Sequence, residues 1–263
     1  MIDPVAFSIG PLGIRWYGIF IASAILLGMI LVNKESKRQD INPDFFMDFF
    51  IYAIPLGVVG ARLYYVIFNW HIYSRDPSRI IAVWQGGLAI HGGIIGGLCV
   101  LIYLVRKRGI NFGKTVDILA PAVPLGEAIG RWGNFVNQEA YGEEVSKQFI
   151  SWFPQFIQEQ MYIIDHLGTF YRNPTFLYAS LWNFLLFLFL LWLRRQDFVL
   201  KGDIFLSFLI GYSLGRFFIE GLRTDSLMLG PIRIAQLVSV LLIVGCGAFM
   251  YWRHRKEIKL HAK

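Results

Sequence analysis

Charge is what this chain has least of. Asp, Glu, Lys and Arg make up 16% of its 263 residues, where a soluble domain carries roughly 25%, and the mean hydropathy is +0.51. The apolar residues, 56% of the total, come in long runs, which points to a bilayer rather than a large soluble core. Cysteine is also scarce. Cys99 and Cys246 lie in separate apolar runs, with neither zinc spacing nor a disulfide framework, and read as small buried hydrophobes. H-E-x-x-H, the Walker A loop and the dinucleotide fingerprint are all missing, so no metal and no cofactor are expected. No segment is polar enough over a domain's length to fold alone in water, and no internal repeat or low-complexity tract is visible. The opening residues, MIDPVAFSIGPLG, lack the basic region and cleavage site of a removed signal peptide.

What is present is a series of apolar stretches near the length that crosses a bilayer, about 20 residues. Seven emerge: 16–32, 45–67, 88–105, 116–135, 175–193, 204–222 and 234–252. The expected fold is therefore an all-α integral membrane protein of about seven transmembrane helices, one domain over 1–263. The net charge of +7 would suit nucleic acid on a soluble protein; here cytoplasmic-loop Lys and Arg explain it better, and no nucleic acid partner is expected. Three basic residues follow the first stretch, four the third and three the fifth, and five lie in the C-terminal tail, against seven scattered over the opposite loops. That asymmetry predicts an external N-terminus and a cytoplasmic C-terminus. The segment 136–174, which mixes aromatic and polar residues, is expected outside as a cap or an amphipathic surface piece.

Ionisable residues inside spans are costly and are functional candidates. Arg62, Arg131 and Arg216 fall in spans, with Glu127, Glu220 and His91. For Arg62 a structural role weighs as much as a functional one. Tyr212, Arg216 and Glu220 follow one another at four-residue intervals, which puts them on one helical face where Arg216 and Glu220 can pair. Glu127, Arg131, Asn134 and Gln138 share a face of the fourth stretch, and Gly126, Gly130 and Gly133 permit close helix approach. Given the predicted orientation, Tyr17, His91, Arg62, Arg131, Asn134, Arg216 and Glu220 lie toward the outer leaflet, while Asp117 lies toward the inner one. Two arginines with Asn and Tyr donors suit phosphate, and the nearest phosphates in a bilayer are lipid headgroups. The run Gly211-Tyr212-Ser213-Leu214-Gly215 matches the hydrolase elbow G-x-S-x-G, but that motif needs a strand–turn–helix setting. Inside an apolar helix, small-residue packing explains it better.

These residues together resemble the bacterial prolipoprotein diacylglyceryl transferases. The segment GRWGNFVNQEAYG at 130–142 is similar to the family signature; IRWYG at 14–18, HGG at 91–93, Y-x3-R-x3-E at 212–220 and NPTFLY at 173–178 match in order. One departure is Ala179, where the family usually has Glu. The resemblance implies a seven-span protein of the bacterial cytoplasmic membrane with its active site toward the outer leaflet. It implies transfer of the diacylglyceryl group of phosphatidylglycerol to the lipobox cysteine of a preprolipoprotein, with membrane lipids as its surroundings. A thioether forms and glycerol 1-phosphate leaves. The thiol, with a pKa of about 8.5, must be deprotonated, and charge on the departing phosphate must be met by cations or donors. On that basis Arg131 and Arg216 are expected on the phosphate, helped by Asn134 and Tyr17, with His91 as base. Glu220 is expected to position Arg216 with Tyr212 beside it, and Glu139 and Gly142 join the substrate-binding set through the signature. Two other classes use the same residues. A transporter of a phosphorylated solute would bind without chemistry, though its site tends toward the midplane. An intramembrane protease would need a nucleophile better than Ser213.

Overall fold

The structure, a computed structural model, describes residues 1–10, 12–165, 168–224 and 226–261. Lys263, counted above in the C-terminal tail, lies outside them. A hairpin of β1 (Val5–Ile9) and β2 (Leu12–Arg15) leads into α1 (Trp16–Arg38). Then come α2 (Pro43–Phe68), α3 (Trp70–Tyr73), α4 (Ile90–Arg108), α5 (Phe112–Leu119), α6 (Ala122–Asn137), α7 (Lys147–Ile150) and α8 (Gln155–Gln160). A second hairpin, β3 (Tyr162–Asp165) with β4 (Gly168–Tyr171), precedes α9 (Thr175–Leu193) and α10 (Asp203–Glu220). A third, β5 (Met228–Leu229) with β6 (Ile232–Arg233), precedes α11 (Ile234–His261). The expected apolar stretches are largely helical, and the small hairpins lie before or between them.

Five helices are long and apolar enough to cross a membrane: α1, α2, α4, α9 and α11. The other two expected spans differ for identifiable reasons. The stretch 116–135 is divided between α5 and α6 at Ala120 and Pro121, because proline lacks the amide proton and crowds the preceding turn. The α10 helix has 18 residues but carries Asp203, Arg216 and Glu220. The cysteines correct an expectation: Cys99 is exposed on α4 and Cys246 is only partly covered on α11, so neither is a core residue.

The chain folds as two compact units, Leu31–Thr115 and Met1–Ile30 with Val116–Lys263. In the first, Asn42 caps α2 by accepting from the Asp44 amide at 2.9 Å, with Pro43 at the first helical position. Gly109, in the left-handed conformation, ends α4 after a last turn of Arg106, Lys107 and Arg108, whose charge suits the helix C-terminus. The α2 and α4 backbones come close at Gly60 and Gly92; a β-carbon on Gly60 would stand 2.5 Å from the Gly92 carbonyl oxygen. Arg62, 6% exposed, donates to the carbonyls of Ile80 (2.8 Å), Gly86 (2.7 Å), Gly87 (2.9 Å) and Arg79 (2.5 Å), with Tyr73 under its guanidinium. It satisfies the backbone of the α3–α4 connection, which makes its role structural.

In the second unit, α6 lies along α1 through its glycines: Gly126 faces Ala24, Gly130 faces Ile21 and Gly133 faces Tyr17. The order is antiparallel, and it is the close approach that the glycine spacing predicts. Asp117 of α5 accepts from the amides of Gly202 (2.5 Å) and Phe205 (2.9 Å), so a carboxylate from another helix caps α10. Asp203, 1% exposed, accepts from Arg253 and His254 of α11. The segment 136–174 is folded. Val136, Ile150, Ile157, Met161 and Ile163 form a buried core with Phe135 at the end of α6 and Phe176 at the start of α9. The two phenyl rings stack at 4.3 Å. Gln160, 1% exposed, joins this core to the α6 C-terminus by donating to Val136 (3.0 Å).

Candidate functional site

Three helices of one unit build the site, and α9 is the middle one. Ser180 of α9 donates to the Ala128 carbonyl of α6 at 2.8 Å and accepts from the Trp132 indole at 3.2 Å. On the other flank the Trp182 indole donates to the Gly211 carbonyl of α10 at 2.9 Å. Between them opens a narrow cleft, walled by Arg131 of α6, Ala179, Trp182 and Asn183 of α9, and Tyr212, Gly215 and Arg216 of α10. Arg223, just beyond α10, completes the wall.

Arg131 and Arg216 each meet a carboxylate one turn away. Arg131 Nη2 meets Glu127 Oε2 at 3.1 Å and Arg216 Nη2 meets Glu220 Oε2 at 2.9 Å. Both pairs have the four-residue spacing that suits a helix surface, and the Arg216–Glu220 pair is the one the sequence predicts. Glu220 is 3% exposed, so it stands behind Arg216 rather than in the opening. The walls themselves carry three guanidinium groups and no carboxylate. The Arg131 Nε is buried with no hydrogen-bond acceptor among the described residues. A buried donor without a partner costs about 1–3 kcal/mol. Such an arrangement can fix a phosphate through forked, charge-assisted contacts.

The other expected residues fall in several places. Tyr17 rests on Gly133, where a β-carbon would stand 2.5 Å from its ring. That contact brings the start of α1 to the last turns of α6. Asn134 is one turn beyond Arg131, is partly buried and does not line the cleft. Gln138 leaves the face that the spacing predicts. It is the left-handed cap residue of α6, and its side chain donates to the Gln160 carbonyl at 2.7 Å. Glu139 is exposed and accepts from Asn137 at 3.2 Å. Gly142 is buried, donates its amide to the Asn173 carbonyl at 2.9 Å and pairs with Arg223 in an antiparallel bridge. The signature segment thereby reaches the arginine cleft through its backbone. His91 belongs to the unit Leu31–Thr115, where it is exposed in the first turn of α4 with its ring stacked on Tyr64 at 5.8 Å. Among the described residues no group of three or more His, Cys, Asp or Glu side chains is placed to hold a metal ion.

Sequence reasoning passed over Arg223, Asn183 and Trp182. For Arg223 helical spacing gives no signal: it lies seven residues after Arg216, but α10 ends at Glu220, so the periodicity does not carry to it. The elbow-like motif is settled by context, since Ser213 is 2% exposed inside α10.

The sequence model of the family described as Prolipoprotein diacylglyceryl transferase matches residues 4–252. A phosphatidylglycerol–prolipoprotein diacylglyceryl transferase of Bacillus cereus (strain G9842) is 51% identical over 256 residues, covering 97% of this chain and 93% of that protein. Proteins of the same name from Bacillus mycoides (strain KBAB4) and Bacillus anthracis (strain CDC 684 / NRRL 3495) share the same identity and coverage.

Proposed function

This chain belongs to the prolipoprotein diacylglyceryl transferase family, and from that premise we propose how its own residues carry the reaction. The enzyme transfers the diacylglyceryl group of phosphatidylglycerol to the lipobox cysteine of a preprolipoprotein, the first step of lipoprotein maturation. The cysteine sulfur attacks the glyceryl carbon that bears the phosphate. A carbon–sulfur bond forms, the carbon–oxygen bond breaks, and glycerol 1-phosphate leaves with the electron pair. The observation that carries the assignment of residues is the cleft walled by Arg131, Arg216 and Arg223.

Arg131 and Arg216 grip the phosphate and meet the charge that grows on the departing oxygen, where preorganised donors are most effective. Glu127 and Glu220 hold the two guanidinium groups in place, and Arg223 adds a third cation. Tyr212 lines the same cleft; Asn134 of α6 and Tyr17 of α1, which lie outside its wall, supply further donors to the part of the substrate beyond it. His91 accepts the thiol proton, for which its exposed ring is accessible. Gly142 allows the chain after α10 to come close to the signature segment, and Glu139 contacts substrate at the rim.

The protein is a membrane protein, and we place it in the bacterial cytoplasmic membrane. It crosses seven times, with α5 and α6 together making the fourth span and α10 the sixth. The asymmetry of basic loops supports an external N-terminus, a cytoplasmic C-terminus and a site open to the outer leaflet. The folded segment 136–174 is then an external cap beside the site.

A transfer assay tests the reading. Purified protein in detergent is given phosphatidylglycerol and a lipobox peptide, and the products are read by mass spectrometry. A peptide heavier by one diacylglyceryl group, with glycerol phosphate released, is expected. Folded, lipid-bound protein that forms no adduct would overturn the assignment and direct attention to solute flux in vesicles.

A further inference from the structure

One polar side chain in the wall of the arginine cleft has no part in the mechanism above. Asn183 lies in the middle of α9, a helix otherwise rich in Leu, Phe and Trp, and is 4% exposed. A polar group buried in an apolar span is costly unless something uses it. Its neighbours on α9 serve as attachments. Thr175 donates to the Ala140 carbonyl at 2.7 Å, Ser180 to that of Ala128 at 2.8 Å and the Trp182 indole to that of Gly211 at 2.9 Å, so each fastens α9 to another segment. The Asn183 amide nitrogen instead donates to the Ala179 carbonyl of its own helix, at 2.8 Å. A carbonyl oxygen accepts only from the nitrogen side of an amide, so this bond sets the orientation of the group and leaves Oδ1 at its other end. That oxygen is buried and has no hydrogen-bond partner among the described residues. Asn183 also lines the cleft, so its unengaged acceptor belongs to the same wall as the arginines.

We propose that Asn183 is a specificity-determining residue, which accepts a hydrogen bond from a hydroxyl of the donor's glycerol headgroup while the arginines hold the phosphate. The inference rests on the transferase reading above. The chemistry of the wall argues for this partner. Arg131, Arg216 and Arg223 offer N–H donors and positive charge, and the Trp182 indole proton is already engaged. Apart from the Tyr212 hydroxyl, the Asn183 Oδ1 is the side-chain acceptor that the wall presents. What fits it is a donor. An ammonium headgroup would bring its donors in among three guanidinium groups of like charge, a juxtaposition that rejects wrong partners. A glycerol headgroup brings neutral hydroxyls, the nearer of them only a few bonds from the phosphorus. A phosphate held by the arginines therefore carries its own donor to the wall that Asn183 shares. An acceptor that serves a substrate hydroxyl also discriminates against an analogue without one, because its oxygen then stays buried and unpaired.

The test removes the hydroxyls from the donor and the acceptor from the full-length enzyme. Phosphatidylpropanol has the phosphate and acyl chains of phosphatidylglycerol and yields the same peptide adduct, but its headgroup carries no hydroxyl. The unaltered enzyme is expected to favour phosphatidylglycerol by about tenfold or more in kcat/KM, the worth of one hydrogen bond. In Asn183→Leu, which keeps the branched shape, that preference is expected to shrink to about twofold or less. Both donors are assayed on one preparation, so a smaller folded fraction lowers both rates alike and leaves their ratio intact. Unaltered enzyme that uses the two donors equally well overturns the proposal, whether or not the variant folds. A variant that loses activity with both donors and keeps the full preference makes Asn183 a structural residue and overturns it too. If unaltered enzyme forms no adduct with phosphatidylglycerol, the transferase reading itself fails, which is a different result.

Discussion

Replacing Gly142 with alanine tests how the signature segment reaches the arginines. A β-carbon at this position would stand 2.7 Å from the Leu222 carbonyl oxygen, 2.7 Å from Asn173 Cβ and 3.0 Å from Thr175 Cγ2. None of these is the loose end of a flexible side chain, and Thr175, 2% exposed, is itself held by a 2.7 Å bond to the Ala140 carbonyl. Return to ordinary contact requires a shift of about 0.7 Å, of the kind that overpacked sites make at a cost of about 1–3 kcal/mol. The piece most free to yield is the chain after α10, and Leu222 precedes Arg223. Misplacement of a binding group by about 1 Å can cost about a hundredfold in rate, so Gly142→Ala is expected to lower kcat/KM by roughly ten- to a hundredfold. The mass-spectrometric transfer assay, normalised to folded protein, reads this directly. If the effect passes through Arg223, the alanine adds less than about twofold once Arg223→Ala is already present, because coupled sites are not additive. Activity of Gly142→Ala within about twofold of the unaltered enzyme, or losses that simply multiply, would refute the reasoning.

Arg131→Ala and Arg216→Ala are each expected to reduce transfer by about a hundred- to a thousandfold, the usual effect of deleting a donor aimed at developing charge; full activity in both would remove the phosphate assignment. Glu220→Gln keeps the shape but weakens the 2.9 Å pair with Arg216, and the apparent affinity for phosphatidylglycerol is expected to fall, while an unchanged KM would show that Arg216 holds its place without it. With His91→Gln, turnover at neutral pH is expected to drop by about a hundredfold, within the range for a lost general base; near-normal turnover would make His91 a packing or headgroup contact. Arg62→Ala deprives four carbonyls of their donor and is expected to cost at least about 3 kcal/mol of stability. A thermal midpoint in detergent equal to that of the unaltered protein would show that the α3–α4 connection stands without it.

The features legible in the sequence are those that depend on neighbours a few residues away. Apolar runs of bilayer length place the long helices, since a backbone in hydrocarbon must satisfy itself within its own segment. A four-residue spacing places Arg216 on Glu220, and glycines repeated along one face of α6 mark where α1 approaches. The signature at 130–142 is enough to suggest the family before any helix is packed.

The tertiary structure decided what depends on residues distant in the chain. Arg62 and Arg131 look alike as cations in apolar stretches. Only the return of residues 79–87 to α2 makes Arg62 a support for backbone carbonyls, while Arg131 is left facing a cleft. Gln138 has the right helical offset but falls one residue past the end of α6, where the Gln160 carbonyl turns it aside. The segment 136–174 gathers a core only because Phe135 and Phe176 close over it from two helices. Arg223 joins Arg131 and Arg216 through a backbone bridge to Gly142, and no local periodicity encodes a contact between segments so far apart. Spacing along a helix sets which side chains share a face, but which faces meet is set by the packing of the whole unit.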